Sequence, residues 1–151
     1  MVSIAMYQPD IPQNLGAMIR LSACMGADLH VIEPTSFPYD ERKIRQSAMD
    51  YMGKISIHRH ASWNAFKDGI KNRRIVLMTT KGACSYPDFE FRSDDILLAG
   101  SESAGVPENV HNEVDARIVI PMQNGLRSLN IVNATSMILG EVLRQTDGFA
   151  A

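Results

Sequence analysis

Hydrophobic residues along the chain form two patterns, short continuous runs and longer stretches with a spacing of three or four residues. The short runs are typical of strands buried on both faces. They predict strands at Ser3–Tyr7, Leu29–Ile32, Ile55–His58, Ile75–Thr79, Ile96–Ala99 and Arg117–Ile120. The longer stretches predict helices at Asn14–Met25, Glu41–Ala48, Ser62–Ile70, Pro107–Asn112 and Ile131–Gln145. Strands that alternate with helices predict an α/β fold, with a mainly parallel sheet flanked by helices.

Apolar side chains encircle the last predicted helix almost completely. Charge appears in it only at Glu141 and Arg144. A helix that is apolar on every side has to be buried on every side. Either it lies in a groove of its own domain, or its own sheet covers one side and a second copy of the chain covers the other. The pattern favours the second arrangement, a homodimer.

Composition places the chain among ordinary soluble proteins. It has 151 residues, of which 45% are hydrophobic and 21% charged, so residues 1–151 are interpreted as one domain. No apolar run approaches the roughly 18 residues of a transmembrane helix, and the N-terminus lacks a signal peptide's basic segment. Cys24 and Cys84 have neither disulfide nor zinc spacing, and no carboxylate or cysteine near His58 and His60 completes a metal site. We expect a cytoplasmic protein with no membrane segment and no metal.

Charge is distributed unevenly, although the net charge is only −2. From Asp40 to Arg74 there are nine basic and four acidic residues, a balance of +5. From Cys84 to the C-terminus there are four basic and ten acidic residues, a balance of −6. The basic segment is either a set of solvated helix faces or a surface for a polyanion. Charge alone favours solvated faces.

Two polar loops follow predicted strands, where open α/β sheets place their ligand sites. One leads into the first helix, whose single charged residue is Arg20. Its guanidinium group either ties elements together or binds a phosphate. The other, Gly100–Pro107, is rich in small residues and carries Glu102. Its glycines allow the backbone to approach a ligand closely.

A third polar loop precedes the last helix. It carries Arg127, Ser128 and Asn130. Serine and asparagine are both good helix N-caps. One cap is sufficient for one helix, so the additional polar groups indicate a ligand site as well.

A serine hydrolase is a weak alternative. The segment Ser101–Gly105 resembles a nucleophile elbow around Ser103, but that motif requires glycine at the position of Ser101. The only later histidine is His111, and no acidic residue follows the required order. The glycine motifs of dinucleotide and nucleoside triphosphate sites are also absent from the sequence.

Three segments, in this order, resemble the motifs of the SPOUT (α/β-knot) RNA methyltransferases: IPQNLGAMIRLSACMGADLHVIEP, GSESAGVP and IPMQNGLRSLNIVNA. The match is closest to the TrmL-like family, which methylates the ribose 2′-hydroxyl of the tRNA wobble nucleotide. The resemblance covers Ile4 to Arg144. It implies a cytoplasmic homodimer that transfers methyl from S-adenosylmethionine to cytidine or modified uridine 34 of the anticodon stem-loop. It also implies a C-terminal deep trefoil knot, a rare exception to unknotted topology.

The resemblance further implies roles for individual residues, and no metal. The catalytic positions are Arg20, Glu102, Ser128 and Asn130. The cofactor-binding positions are Met78, Thr79, Gly100, Ile120, Ser128 and Leu129. The substrate-binding positions are Arg20, Arg127, Arg42, Lys43 and Arg45. In this context the basic segment is better interpreted as a surface for RNA.

The sequence departs from several relatives at Ala104, where they carry arginine, so a local phosphate contact is absent here. Two alternatives stay open. The enzyme could methylate another tRNA or rRNA position, or the chain could be a catalytically inactive knotted RNA-binding module.

Overall fold

Seven strands form one parallel sheet in the computed structural model, which describes residues 1–49, 51–82, 84–126 and 129–151. The strands are β1 Ser3–Tyr7, β2 Asp28–Ile32, β3 Ile57–His60, β4 Ile75–Met78, β5 Cys84–Ser85, β6 Ile96–Ala99 and β7 Ala116–Val119. Their order across the sheet is β3-β2-β1-β6-β4-β7-β5, and every pairing between these strands is parallel. The predicted α/β architecture is therefore confirmed.

The helices connect these strands. They are α1 Pro12–Met25, α2 Glu41–Ser47, α3 Trp63–Gly69, α4 Glu108–Glu113 and α5 Ile131–Gln145, with single 3₁₀ turns at Tyr51–Lys54 and Tyr86–Asp88. Short polar side chains cap the starts of α2, α3 and α5. The Asp40 carboxylate accepts hydrogen bonds from two backbone N–H groups of α2, and the Ser62 hydroxyl accepts one from Ala65 in α3.

The sheet is covered on both faces, as the alternation along β1 shows. Ile4 and Met6 pack in a cluster with α1, α2 and α5. Ala5 and Tyr7 point to the opposite face and pack with α3 and α4. All five residues of β1 are buried. A continuous apolar run was thus the correct sequence signal for a strand between two helical layers.

The strands differ from the prediction most at β3 and β5. The third strand begins two residues later than predicted, at Ile57 rather than Ile55, and pairs with β2 through His30 and His58. It lies at the edge of the sheet and is half exposed, so a run of apolar residues marked it poorly. The two-residue strand β5 was missed because it has no apolar run at all.

Helix α5 is not buried all round within one chain. Its inner face is buried through Thr135, Ile138, Leu139, Val142 and Leu143. On the outer face, 43% of Met137 is exposed. The groove alternative is therefore wrong for the single chain. Within the described residues, no helix is long and apolar enough to cross a membrane.

An ion pair fixes the end of the sheet at which β4 and β6 begin. Both terminal oxygens of Asp95 accept hydrogen bonds from Arg74, each at 2.7 Å. Asp95 is fully buried and also accepts a backbone N–H from Arg92 at 2.8 Å.

Removing Asp95 should therefore destabilise the fold strongly. We expect Asp95→Ala to lower the free energy of unfolding by about 3–5 kcal/mol, because it leaves the Arg74 guanidinium without its buried partner. Urea unfolding followed by circular dichroism measures this. The exposed neighbour Asp94 provides the control, since Asp94→Asn should stay within about 0.5 kcal/mol of the wild type. Equal loss in both variants would contradict the assignment.

Three histidines stack at the outer edge of the sheet. His30 on β2 lies between His58 and His60, with ring centroids 4.9 and 5.1 Å away. His30 Nδ1 and His60 Nε2 form a hydrogen bond of 2.9 Å, in which one ring donates and the other accepts. Burial, and then the neighbouring His58, lowers the pKa of His30 to about 3. The folded protein therefore keeps His30 neutral.

This cluster makes stability depend on pH in a defined window. The unfolded chain protonates His30 near its usual pKa of 6.5, whereas the folded chain does so only near 3. The contribution of neutral His30 to the free energy of unfolding is therefore fully present above pH 6.5 and is lost as the pH decreases below it. Urea unfolding at pH 7 and pH 5 should differ by on the order of 1–2 kcal/mol. His30→Gln should reduce that difference, and His111→Gln should not.

Candidate functional site

A cleft of about 810 Å³ opens at the carboxyl ends of three adjacent strands, β6, β4 and β7. The segments that leave these strands form its walls, and α5 closes it. Such an edge is where open parallel sheets bind ligands. The lining includes Ile11, Asn14, Thr80, Ser101, Val106, Pro121, Met122 and Ile131.

The cleft also contains the described members of the predicted cofactor set. These are Met78, Thr79, Gly100, Ile120 and Leu129, and the predicted catalytic residues Glu102 and Asn130 join them. Their roles as ligands of a cofactor stay predictions. Ser128 and Arg127, which were predicted in the same loop, lie outside the described residues.

Glycine at two positions lets the walls approach each other. A Cβ atom on Gly100 would lie 2.8 Å from the Cα of Gly105, and a Cβ on Gly82 would lie 2.6 Å from the carbonyl carbon of Ile118. Both contacts are with backbone, which cannot move aside as a flexible side chain can. The turn after β6 is closed further by paired backbone hydrogen bonds between Ser101 and Gly105.

Asn130 joins two helices at the mouth of the cleft. Its Oδ1 caps α5 by accepting the backbone N–H groups of Val132 at 2.8 Å and Asn133 at 3.4 Å. Its Nδ2 donates to Oδ1 of Asn14, in the first turn of α1, at 3.2 Å. The side chain is therefore both a cap and a link from the last loop to the first.

Glu102 fixes the loop that leads into α1. Its Oε2 accepts the backbone N–H groups of Ile11 at 2.6 Å and Asp10 at 3.2 Å. Burial, together with the nearby Asp10 carboxyl group, raises the pKa of Glu102. The predicted catalytic carboxylate thus holds the first loop against the second.

Arg20 lies apart from these residues. It is exposed on α1, where its Nη1 donates to the sulfur of Met49 at 3.0 Å and its guanidinium group lies 5.7 Å from the centroid of the Tyr51 ring. It does not line the cleft. Arg20 stands six residues after Asn14, so it is about 9 Å further along the helix. Among the described contacts of one chain, Arg20 touches neither Glu102 nor Asn130.

The basic segment divides into two parts. Four of its members are engaged in the fold. Arg59 pairs with Glu33, Lys67 with Glu113 and Arg74 with Asp95, while Arg73 donates to Ser3 and to backbone carbonyl groups. The predicted substrate residues Arg42, Lys43 and Arg45 instead stand exposed on α2. Helix α2 packs on α1, which carries Arg20. The polyanion surface is therefore smaller than the sequence suggested.

The serine hydrolase alternative finds no support in the geometry. The Ser103 hydroxyl donates directly to Oδ2 of Asp10. Among the described contacts, no histidine accepts its proton, as a nucleophilic serine requires.

Sequence reasoning missed two residues of the site. Asn14 lines the cleft, and Asp10 binds the loop after β6. Asn14 lies within the first motif, two residues before Gly16. Asp10 lies in the polar loop before the first helix, in which no carboxylate was predicted to be functional. Only the fold brings it to Glu102, 92 residues later in the chain.

A known protein family matches almost the whole chain. Residues 1–140 match the SpoU rRNA Methylase family. The chain belongs to this family. The RNA methyltransferase family predicted from three motifs is thereby confirmed.

Relatives of this SpoU-family chain match it along its length. The tRNA (cytidine(34)-2′-O)-methyltransferase of Ancylobacter novellus is 51% identical over 151 residues, which span 99% of this chain and 96% of that protein. The protein of the same name from Escherichia coli K12 is 35% identical over 147 residues, which span 96% of this chain and 94% of that protein.

Solved structures resemble the SpoU-family fold described above. One, reported as structural insights into the 2-OH methylation of C/U34 on tRNA, has a TM-score of 0.91 and 34% identity, covering 96% of this chain and 95% of that one. The SpoU methyltransferase AviRb from Streptomyces viridochromogenes, in complex with AdoMet, has a TM-score of 0.86 and 28% identity, covering 96% of this chain and 60% of that one.

Proposed function

We propose that this chain is a tRNA methyltransferase that uses S-adenosylmethionine to methylate the ribose 2′-hydroxyl of the wobble nucleotide, cytidine or uridine 34. The observation that carries the proposal is the match to tRNA (cytidine(34)-2′-O)-methyltransferases over nearly the whole length of both chains. The cleft at the strand ends supplies a site of suitable size and place. Residues 1–151 then act as one methyltransferase domain.

The cleft has the features that a cofactor of this kind needs. Its volume of about 810 Å³ lies in the range of small-molecule sites. Apolar side chains such as Met78, Ile120 and Leu129 suit an adenine ring, and backbone near Gly100 can approach the ligand closely. Oε1 of Glu102 is buried in this lining and has no protein partner among the described residues.

The chemistry needs alignment more than bond activation. S-adenosylmethionine, when bound, supplies a methyl group already activated on a sulfonium sulfur. The residues of this chain then have to hold the ribose oxygen in line with that methyl group and stabilise the loss of the hydroxyl proton. We assign phosphate positioning to Arg20, whose planar fork suits phosphate oxygens. Glu102 and Asn130 shape the cleft, together with the predicted Ser128.

We further propose a homodimer in which each cleft is completed by the partner. Two features of the described residues support it. The outer face of α5 leaves Met137 exposed, and Leu129 and Ile11, at the mouth of the cleft, are also more than 40% exposed. Arg20 lies outside its own chain's cleft. In a dimer, Arg20 of one chain would instead position the substrate phosphate at the cleft of the other chain, where methyl transfer takes place.

The surface for tRNA is proposed to run over α2 and the exposed side of α1. Arg42, Lys43 and Arg45 are exposed there, and within the described part of the chain none of them forms an ion pair like that of Arg74 with Asp95. Such a patch gives affinity through phosphates, whereas the anticodon loop would be recognised by its shape and its unstacked bases. Arg127, in the predicted third motif, would add a further basic contact. A cytoplasmic location follows from a tRNA substrate.

A trefoil knot formed by the C-terminal part is proposed from the family resemblance. The close packing of Gly82 against Ile118 and the position of α5 across the cleft are compatible with it. An experimental structure with a continuous trace from β7 into α5 tests it, since a chain that passes outside the β4–β6 connection contradicts the knot.

The decisive experiment is transfer of labelled methyl from S-adenosylmethionine to bulk tRNA, followed by nucleoside digestion and position mapping. Label in a 2′-O-methylated nucleoside at position 34 supports the proposal. Label at another ribose, or in ribosomal RNA only, would contradict the proposed substrate position but support 2′-O-methylation as the reaction. If S-adenosylhomocysteine binds but no RNA accepts label, the RNA-binding module is favoured instead.

A further inference from the structure

Two carboxyl groups meet between the loop that precedes α1 and the loop that follows β6. Oε2 of Glu102 accepts the backbone N–H groups of Asp10 and Ile11. Oδ2 of Asp10 accepts the hydroxyl group of Ser101 at 3.3 Å and that of Ser103. Each carboxyl group therefore uses one oxygen to bind the other loop.

The second oxygen of each group is buried without a donor. Oδ1 of Asp10 and Oε1 of Glu102 have no hydrogen-bond partner among the described residues. Buried polar atoms are nearly always satisfied, and two adjacent carboxylates cannot both carry charge without a large cost. A proton held between the two side chains removes both problems at once.

We propose that Asp10 and Glu102 share one proton, and that Asp10 is thereby a positioning residue that latches Glu102 into the wall of the cleft. Oε2 of Glu102 lies 3.2 Å from the backbone nitrogen of Asp10, which makes the two carboxyl groups neighbours, and a hydrogen bond between them requires one of them to be protonated. The hydrogen bond from Ser103, with smaller contributions from Glu102 and Ser101, lowers the pKa of Asp10. Burial raises the pKa of Glu102. The proton therefore belongs mainly to Glu102 and the negative charge to Asp10.

The described groups around Asp10 and Glu102 are polar but uncharged. The groups that face the pair from α1 and from the β6 loop are backbone N–H groups and the hydroxyl groups of Ser101 and Ser103. Within the described ranges, no lysine, arginine or histidine side chain donates to either carboxyl group. As the pH rises, the shared proton is released. Asp10 and Glu102 are then both negatively charged, and their repulsion separates the two carboxyl groups.

The proton itself can be observed without substrate or cofactor. Infrared spectra of the wild-type protein at neutral pH should contain the carbonyl stretching band of a protonated carboxyl group. Asp10→Asn and Glu102→Gln should each remove it, and the exposed Asp94→Asn should leave it in place. Absence of the band from the wild type, or its survival in both site variants, overturns the proposal.

The consequence for the cleft rests on the proposed function and is measured as affinity for S-adenosylhomocysteine by calorimetry. Glu102→Ala and Asp10→Ala should each weaken binding about tenfold, the effect of losing one charge-assisted hydrogen bond. Glu102→Gln should recover most of that loss, because its amide group donates to Asp10 in place of the shared proton. If Glu102→Gln binds S-adenosylhomocysteine as weakly as Glu102→Ala, binding requires ionised Glu102, and the proposal that the shared proton positions Glu102 is contradicted. A wild type that binds no S-adenosylhomocysteine contradicts the proposed function, while the infrared band still decides the shared proton.

Discussion

Replacing Arg20 by alanine is expected to lower the rate of methyl transfer by about a hundredfold to a thousandfold, a typical effect of removing a group that stabilises charge in the transition state. Arg20 is the only charged residue from Ile11 to Ala27, and among the described residues its guanidinium group is exposed and contacts Met49 and the ring of Tyr51. In the proposed function, a substrate phosphate is the partner of this single charge in an otherwise uncharged helix.

The measurement is single-turnover transfer of labelled methyl at saturating S-adenosylmethionine, with cofactor affinity determined separately. Because Arg20 does not line its own chain's cleft, affinity for S-adenosylhomocysteine should change by less than about twofold, well below the tenfold that one lost charge-assisted contact produces. Arg20→Lys keeps the charge but loses the planar fork, so it should recover only part of the rate. Arg92→Ala removes an exposed arginine far from the proposed surface and should have no effect. An Arg20→Ala enzyme with wild-type rate would remove Arg20 from the mechanism.

The layered fold was predictable because each local pattern agreed with the global one. The strands β1 and β6 were predicted at their observed ends, since both are continuous apolar runs buried between helices. Helix α5 was also predicted at its observed ends, and the N-cap at Asn130 explains its start. At β3, on the exposed edge of the sheet, the same reasoning placed the strand two residues too early.

The site was predictable only in part. Loops after neighbouring parallel strands converge at one edge, so the predicted cofactor residues of three distant loops could be expected to lie together. The pairing of Asp10 with Glu102 could not be expected, because nothing in a local window marks two carboxyl groups 92 residues apart as partners. The separation of Arg20 from the cleft was missed for a related reason. A motif gives residue types and order, but not which face of a helix they occupy.

The same limit applies to charge. Nine basic residues between Asp40 and Arg74 suggested one positive surface. The fold uses Arg73 and Arg74 to bind groups at the opposite end of the strands from the cleft, whereas the members on α2 are exposed to solvent and can contact a polyanion. Counting charges along a segment cannot distinguish these uses, because strand direction decides at which end of the sheet a side chain emerges.

Replacing Gly100 by alanine should close the cleft without unfolding the protein. The added Cβ would lie 2.8 Å from Cα and 2.9 Å from the carbonyl carbon of Gly105, so the turn after β6, which lines the cleft, has to shift. Overpacking of this kind costs about 1–3 kcal/mol of stability. A displacement of about 1 Å in a positioning wall can reduce the rate a hundredfold, and we expect at least a tenfold loss of S-adenosylhomocysteine affinity as well. Gly53→Ala, whose Cβ meets no atom within 4 Å, is the matched control and should change neither quantity.

Mixing the two inactive variants tests how the clefts are assembled. In a heterodimer of Arg20→Ala and Gly100→Ala chains, a site that uses Arg20 from the partner has one intact pair: the open cleft of the first chain and the arginine of the second. Methyl transfer should therefore reappear after the two variants are unfolded together and refolded, at a level set by the fraction of heterodimers. If Arg20 acts in its own chain, each site of the heterodimer retains one defect and no activity returns. Recovery of activity also requires a dimer. One assay therefore tests both whether the chain dimerises and whether Arg20 acts at its own cleft or at the cleft of the partner.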